Sequence, residues 1–228
     1  MEGYVCAARR PEQCQRRPRQ GGADLERHRP LPHFNLIEQR GLKFSRWLHQ
    51  APYLPQCGGL AATPHAARLA RLPVLEQYAA VELFRGNMLR HNLIVVRNSR
   101  LAGNGLPGFE GDGWQAYVPI RLPDTILVQK RLPAGAAAVL INQAHGEPDL
   151  FLPVNTDELQ LFEAVDGVRT IRELIQQTAR SGSGTLHRLN EKGRQLFERL
   201  YWFDQVVFDT ALANKNSRLP VDPGLGQE

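Results

Sequence analysis

The stretch Val154 to Phe208 carries start signals, stop signals and a consistent periodicity over several consecutive elements. Asn155 or Thr156 can cap a helix, and Asp157 and Glu158 sit in its first turn, where the helix dipole favours anions. Leu159, Phe162 and Val165 fall about one turn apart, with Leu161 widening the apolar face. Asp166-Gly167 closes that helix. Thr170 opens a second one, with Glu173 completing a capping box and Ile171, Leu174 and Ile175 forming its inner face. After the flexible break Ser181-Gly182-Ser183-Gly184, a third helix is expected from Leu186, Leu189, Leu196, Phe197, Leu200 and Tyr201. Gln205 to Phe208 then has the β-branched content of a strand.

Three short helices followed by a strand suggest a winged-helix-like module over 151–212. The rest divides into a basic head (1–32), a mixed region (33–150) and a polar tail (213–228). The fold class expected is α+β: a small antiparallel sheet with helices, then the three-helix module.

The head is rich in Arg, Gln, Pro and Gly and poor in large apolar side chains, so it is expected to remain disordered. It holds seven arginines and four acids, so it supplies +3 of the net charge of +5. The remainder is close to balance, which does not favour a nucleic-acid partner. Three cysteines, Cys6, Cys14 and Cys57, are too few for a disulfide framework and suit a reducing, cytoplasmic setting. Cys6 and Cys14 lack the paired spacing of a zinc motif, and no metal site is assigned. No apolar run approaches the roughly 20 residues of a membrane helix.

In the mixed region Phe34 to Glu38 alternates like a short strand, and Leu42, Phe44, Trp47 and Leu48 have helical spacing. Pro64 to Leu72 is expected to be a short helix and Val74 to about Leu89 a longer one, with Val74, Tyr78, Val81, Phe84 and Met88 on its inner face. Leu93 to Arg97, Trp114 to Ile120 and Thr125 to Arg131 are strand-like and are expected to form one small antiparallel sheet. Pro133 can begin a helix whose apolar side holds Ala136, Val139, Leu140 and Gln143.

Few groups stand out chemically. Gly103 to Gly108 spells G-x-G-x-x-G, but the motif binds phosphate only where it opens a helix, and Pro107 with the following glycines prevents that. It reads as a hairpin loop. His49 and Cys57 have no third orienting residue, so a buried cysteine is the simpler reading. Glu110, Asp112, Asp124 and His145 are polar loop residues able to line a cleft. Arg85, Arg90 and His91 can grip an anion or simply complement a helix C-terminus. Arg188, Lys192, Arg194 and Arg199 on the third helix offer a modest phosphate footprint, offset by Glu191 and Glu198.

Leu75-Glu76-Gln77-Tyr78 with Phe84-Arg85-Gly86-Asn87-Met88-Leu89-Arg90-His91 resembles the regulatory segment following the catalytic domain of some bacterial class I S-adenosylmethionine-dependent methyltransferases. Leu42 to Gly58 is similar to the tail of such a catalytic domain. Leu159 to Ile175, with Asp166-Gly167-Val168-Arg169-Thr170-Ile171, also resembles small winged-helix chaperones that present peptides to radical enzymes. The resemblance implies an accessory region, truncated or split from its methyltransferase, since no strand–Gly-turn–helix unit for the cofactor precedes Phe34. S-adenosylmethionine would then enter only through a missing or partner domain, no catalytic residue would lie in this chain, and a protein partner is expected. A nucleic-acid-binding winged helix and a peptide-binding chaperone are the alternatives; an independent enzyme is the least favoured.

Overall fold

The structure is a computed structural model, and it describes residues 31–86, 88, 90–97, 107–181 and 186–211. Residues 1–30 of the expected disordered head, the G-x-G-x-x-G glycines up to Gly105, Gly182 to Gly184 of the Ser-Gly break and the polar tail lie outside the described residues, while Leu31 and Pro32, expected in the head, are helical. The described chain is α+β, with helices and small antiparallel sheets.

The chain runs α1 (Leu31–Gln39), β1 (Leu42–Trp47), two 3-10 turns (Ala51–Tyr53 and Gly58–Ala62), α2 (Ala66–Leu69), α3 (Val74–Arg85) and β2 (Leu93–Arg97). A third 3-10 turn (Gly113–Ala116) leads into β3 (Val118–Arg121), β4 (Thr125–Val128), β5 (Ala138–Asn142) and β6 (Phe151–Val154). The last elements are α4 (Thr156–Glu163), α5 (Ile171–Arg180), α6 (Leu186–Trp202) and β7 (Val206–Asp209). The strands do not form the single sheet expected. They form three: β1–β2, β3–β7 and β4–β5–β6, all antiparallel.

Helix and strand are exchanged at the start of the mixed region. Phe34 to Glu38 lies in α1, not a strand; Phe34 is buried and Ile37, three residues on, packs on the same aromatic cluster. Residues 42–47 form a strand, not a helix. The reason is a bulge in β1 between Phe44 and Arg46. One extra residue places Phe44 and Trp47 on the same side, so a strand acquires a helix-like spacing of three. Their rings meet edge to face at 5.1 Å, and Trp47 stacks on Tyr53 at 3.9 Å.

Three further elements differ. The stretch after Pro133 is strand β5, not a helix, because Ala138, Leu140 and Asn142 alternate into the core while β4 and β6 pair on either side. Small apolar residues suit either conformation, and pairing decides between them. Trp114 to Ala116 is a 3-10 turn, with strand only from Val118. Helix α3 ends at Arg85 rather than near Leu89; Val81 is buried, but Val74 and Phe84 are 56% and 51% exposed, so they do not belong to its inner face.

The main core lies under the carboxyl-terminal unit. Leu140, Leu152, Leu161, Ile171, Leu174, Leu196, Phe197, Leu200 and Val206 are fully buried there. Both expected caps form. Asn155 and Glu158 bond reciprocally, as do Thr170 and Glu173, so each satisfies two otherwise orphaned N–H groups. Gly193 sits within α6 because a Cβ there would lie 2.8 Å from Ile175 Cδ1 on α5. β7 returns antiparallel to β3, with Ile120 opposite Val207. A second, smaller cluster of Phe34, Trp47 and Tyr53 holds the amino-terminal elements together.

Candidate functional site

The D-G-V-R-T-I run is a local turn device. Asp166 Oδ1 accepts the N–H groups of Val168 and Arg169, each at 3.0 Å, and Arg169 Nε donates to Oδ2 at 2.7 Å. These bonds hold the Asp166 carboxyl far below the usual carboxylate range. Thr170 then caps α5. The pattern is explained by helix entry and leaves the apolar Val168 78% exposed.

The basic residues singled out in the sequence do not gather into one patch. On α6, Lys192 donates to Asp157 at 2.7 Å and Arg188 lies 3.6 Å from the same carboxylate. The Lys192 bond is the main reason that the Asp157 carboxyl sits below its ordinary value. Arg199 donates to Glu158 at 2.8 Å and to the Pro153 carbonyl at 2.8 Å. Three of the four cations therefore tie α6 to the start of α4. Arg194 stands apart, beside Glu198, Tyr201 and Trp202 on the wall of a shallow depression that also holds Glu110.

Arg85, at the end of α3, is committed to a neighbour as well. Its Nε donates to the Pro52 carbonyl at 2.8 Å, and Nη1 donates to Asp149 at 3.1 Å. Asp149 also accepts the Gly59 N–H at 2.6 Å. Burial pushes the Asp149 carboxyl up, but the bonds from Gly59 and Arg85 outweigh it and hold the group below its ordinary value. Gly58, at φ 68°, permits this contact, since a Cβ there would fall 2.3 Å from the Asp149 carboxylate. His91 Nδ1 and the Tyr53 hydroxyl are 2.7 Å apart, and His91 Nε2 lies 3.5 Å from Glu82. Burial, followed by the Glu82 charge, pushes the Tyr53 hydroxyl well above its ordinary value.

Arg90 lines a cleft of about 300 Å³ with His49, Tyr53, Asn92, His145 and Glu147. Two of its wall residues, His49 just after β1 and His145 just after β5, converge with the buried Asp204 between α6 and β7. One donor atom from each lies within 4.8 Å of the other two. The Asp204 and His145 side chains are 0% and 1% exposed. Asp204 has φ 51°, which re-aims the chain from α6 into β7. Its Oδ1 accepts from Arg46 at 3.1 Å, and Oδ2 accepts the Ala51 N–H at 2.9 Å and lies 3.1 Å from His145 Nε2. Asn142 Nδ2 donates to the Asp204 carbonyl, and Gln50 donates to the Tyr201 carbonyl at 2.7 Å. The His49 and His145 rings meet edge to face at 5.9 Å. Both rings leave Nδ1 buried without a hydrogen-bond partner. A buried polar atom left unpaired costs roughly 1–3 kcal/mol.

His145 thus lines a cleft as its loop position suggested. Asp124 extends the β4–β5 pairing by one step at its open end through its carbonyl, which accepts the Gln143 N–H at 2.9 Å, and Asp112 precedes the 3-10 turn of Trp114. His49 and Cys57 do not form a nucleophile pair. Cys57 is fully buried with Sγ 3.8 Å from the Trp202 carbonyl, and burial pushes its thiol far above the range in which a thiolate forms at neutral pH. The grouping of His49, His145 and Asp204 was not foreseen from spacing, because motif patterns read short intervals and this one closes across 155 positions. The available signals were separate: His145 as a polar loop residue and His49, read with Cys57.

No protein-family model matches the chain. No described helix is long and apolar enough to cross a membrane.

Proposed function

We propose that the chain is a non-catalytic regulatory or substrate-docking region that works with a class I S-adenosylmethionine-dependent methyltransferase domain. The methyltransferase association rests on the resemblance carried by Leu75 to Tyr78 and Phe84 to His91. The docking role rests on one structural observation. Among the described residues, six large apolar ones between 36 and 94 stand exposed: Leu36, Leu48, Val74, Leu83, Phe84 and Ile94. They belong to the half of the chain whose own core cluster has Phe34, Trp47 and Tyr53 as its buried members, and β2 offers Leu93, Ile94, Val95 and Val96 with none of them buried. A strand of four consecutive aliphatic residues suits burial on both faces. Exposed apolar surface of this kind marks contact with another protein.

The internal pairing of Arg188, Lys192 and Arg199 speaks against the nucleic-acid alternative, since a phosphate footprint needs cations free to release counterions. The cofactor is bound by the methyltransferase domain and not by this chain.

Two measurements test the reading. Co-expression with a class I methyltransferase domain should give a complex that survives size-exclusion chromatography. Calorimetric titration of S-adenosylmethionine into the chain alone should give no binding. Micromolar binding by the isolated chain overturns the non-catalytic assignment, and failure to form the complex overturns the docking role.

A further inference from the structure

We propose that His49, His145 and Asp204 form a binding site for one divalent transition-metal ion at the wall of the cleft that also holds Asn92 and Glu147. The inference is independent of the methyltransferase association.

Two imidazoles and one carboxylate are a donor set suited to Zn²⁺, Fe²⁺, Co²⁺ or Ni²⁺, and they are softer than the all-oxygen sets of Mg²⁺ or Ca²⁺. The spacing is already close to what coordination requires. Metal–donor bonds of about 2.0–2.2 Å place neighbouring donors about 3–3.5 Å apart. His145 Nε2 and Asp204 Oδ2 stand 3.1 Å apart, and one donor atom from each of His49, His145 and Asp204 lies within 4.8 Å of the other two.

Hydrogen bonding alone accounts poorly for this arrangement. A purely structural network uses its buried nitrogens, yet His49 and His145 each keep one buried and unpartnered. His49 is the stronger sign, because its orphaned Nδ1 is free to ligate, whereas His145 meets Asp204 through Nε2 and its orphan is the other ring nitrogen, Nδ1. The carboxylate is held independently of the ion. Arg46 takes Oδ1 and the Ala51 N–H takes Oδ2, so Asp204 stays aimed when His145 turns from hydrogen-bond partner to ligand. Such outer bonds orient ligands in metal sites generally. Arg46 lowers the affinity by its charge, which points to a site of moderate strength. Three protein donors leave coordination positions for water or for an oxygen or nitrogen ligand from a partner, and the two histidines line the cleft.

The test uses the full chain without an affinity tag, with Cys6 and Cys14 replaced by Ser, stripped by chelator and titrated with Co²⁺ and then Zn²⁺. The expected result is one equivalent of Co²⁺ with visible d–d absorption, displaced by Zn²⁺. His49→Gln and His145→Gln should each weaken binding at least tenfold, while His187→Gln, on the exposed face of α6, leaves it unchanged. Circular dichroism checks that each variant is folded. His49 is partly exposed, so His49→Gln carries the test should His145→Gln unfold. Absence of stoichiometric binding, or binding by His49→Gln as tight as that of the unsubstituted protein, overturns the site.

Discussion

The carboxylate of Asp204 accepts the backbone N–H of Ala51 at 2.9 Å, joining residues 153 positions apart in the interior of the protein. The same carboxylate holds Arg46 and His145, so one side chain ties the segment after β1, the β5–β6 connection and the end of α6. The first prediction concerns this tie. Asp204→Ala leaves Arg46 without its partner, the Ala51 N–H orphaned and a non-glycine residue at φ 51°. Breaking one side of a buried ion pair costs about 3–5 kcal/mol. Urea denaturation should show a loss of this size. Asp204→Asn keeps the oxygen for Ala51 and tolerates the left-handed backbone, so it should lose distinctly less.

Gly193 on α6 and Ile175 on α5 give a second, purely steric prediction. A Cβ at 193 meets Ile175 Cδ1 at 2.8 Å and Cγ1 at 3.4 Å. Gly193→Val should therefore destabilise by about 1–3 kcal/mol through overpacking, despite the better helix propensity of Val. Ile175→Val in the same chain removes the Cδ1 methyl and should recover part of the loss. Additive losses in the double variant would contradict the contact.

The capped helices were legible in the sequence because their information is local. Thr170 and Glu173, or Asn155 and the acids after it, act within one turn, and burial of Ile171, Leu174 and Leu196 follows the helical period. The amino-terminal half was misread where one local irregularity changes the period. The bulge at Phe44/Arg46 gives β1 the spacing of a helix, and α1 is too short for five residues to separate alternation from a turn. Sheet membership was not legible at all, since β3 pairs with β7 across more than eighty residues. The cation roles were hidden for the same reason: Arg199 and Lys192 look free along α6 until α4 is folded against them.

The Arg85–Asp149 contact predicts a pH effect with a definite sign. The Asp149 carboxyl is lowered by bonds from Gly59 and Arg85, so its contribution to stability is fully present above the unfolded value of about 4 and is lost as pH falls through the lower folded value. The side chain is 36% exposed, so solvent screening keeps the effect small, on the order of 1 kcal/mol. Thermal melts of the native protein and of Asp149→Asn should differ at pH 7 and converge near pH 2–3. A difference that persists unchanged into acid would remove the ionic part of the explanation.

Phe84 and Ile94 separate docking from folding. They are 51% and 39% exposed, so replacing them changes little inside the fold. Surface substitutions away from buried contacts stay within about 0.5 kcal/mol. Phe84→Glu with Ile94→Lys should accordingly melt near the native temperature, yet it places charges on the apolar surface assigned to the methyltransferase domain. Desolvating those charges is unfavourable, so the double variant should lose co-elution with that domain while its circular dichroism spectrum is unchanged. Val168→Glu, at the α4–α5 turn and 78% exposed, is the matched control, because it adds a charge to an exposed apolar position outside the 36–94 surface. Retention of the complex by Phe84→Glu/Ile94→Lys, or its loss in Val168→Glu alone, moves the contact surface from the amino-terminal elements to the three-helix unit.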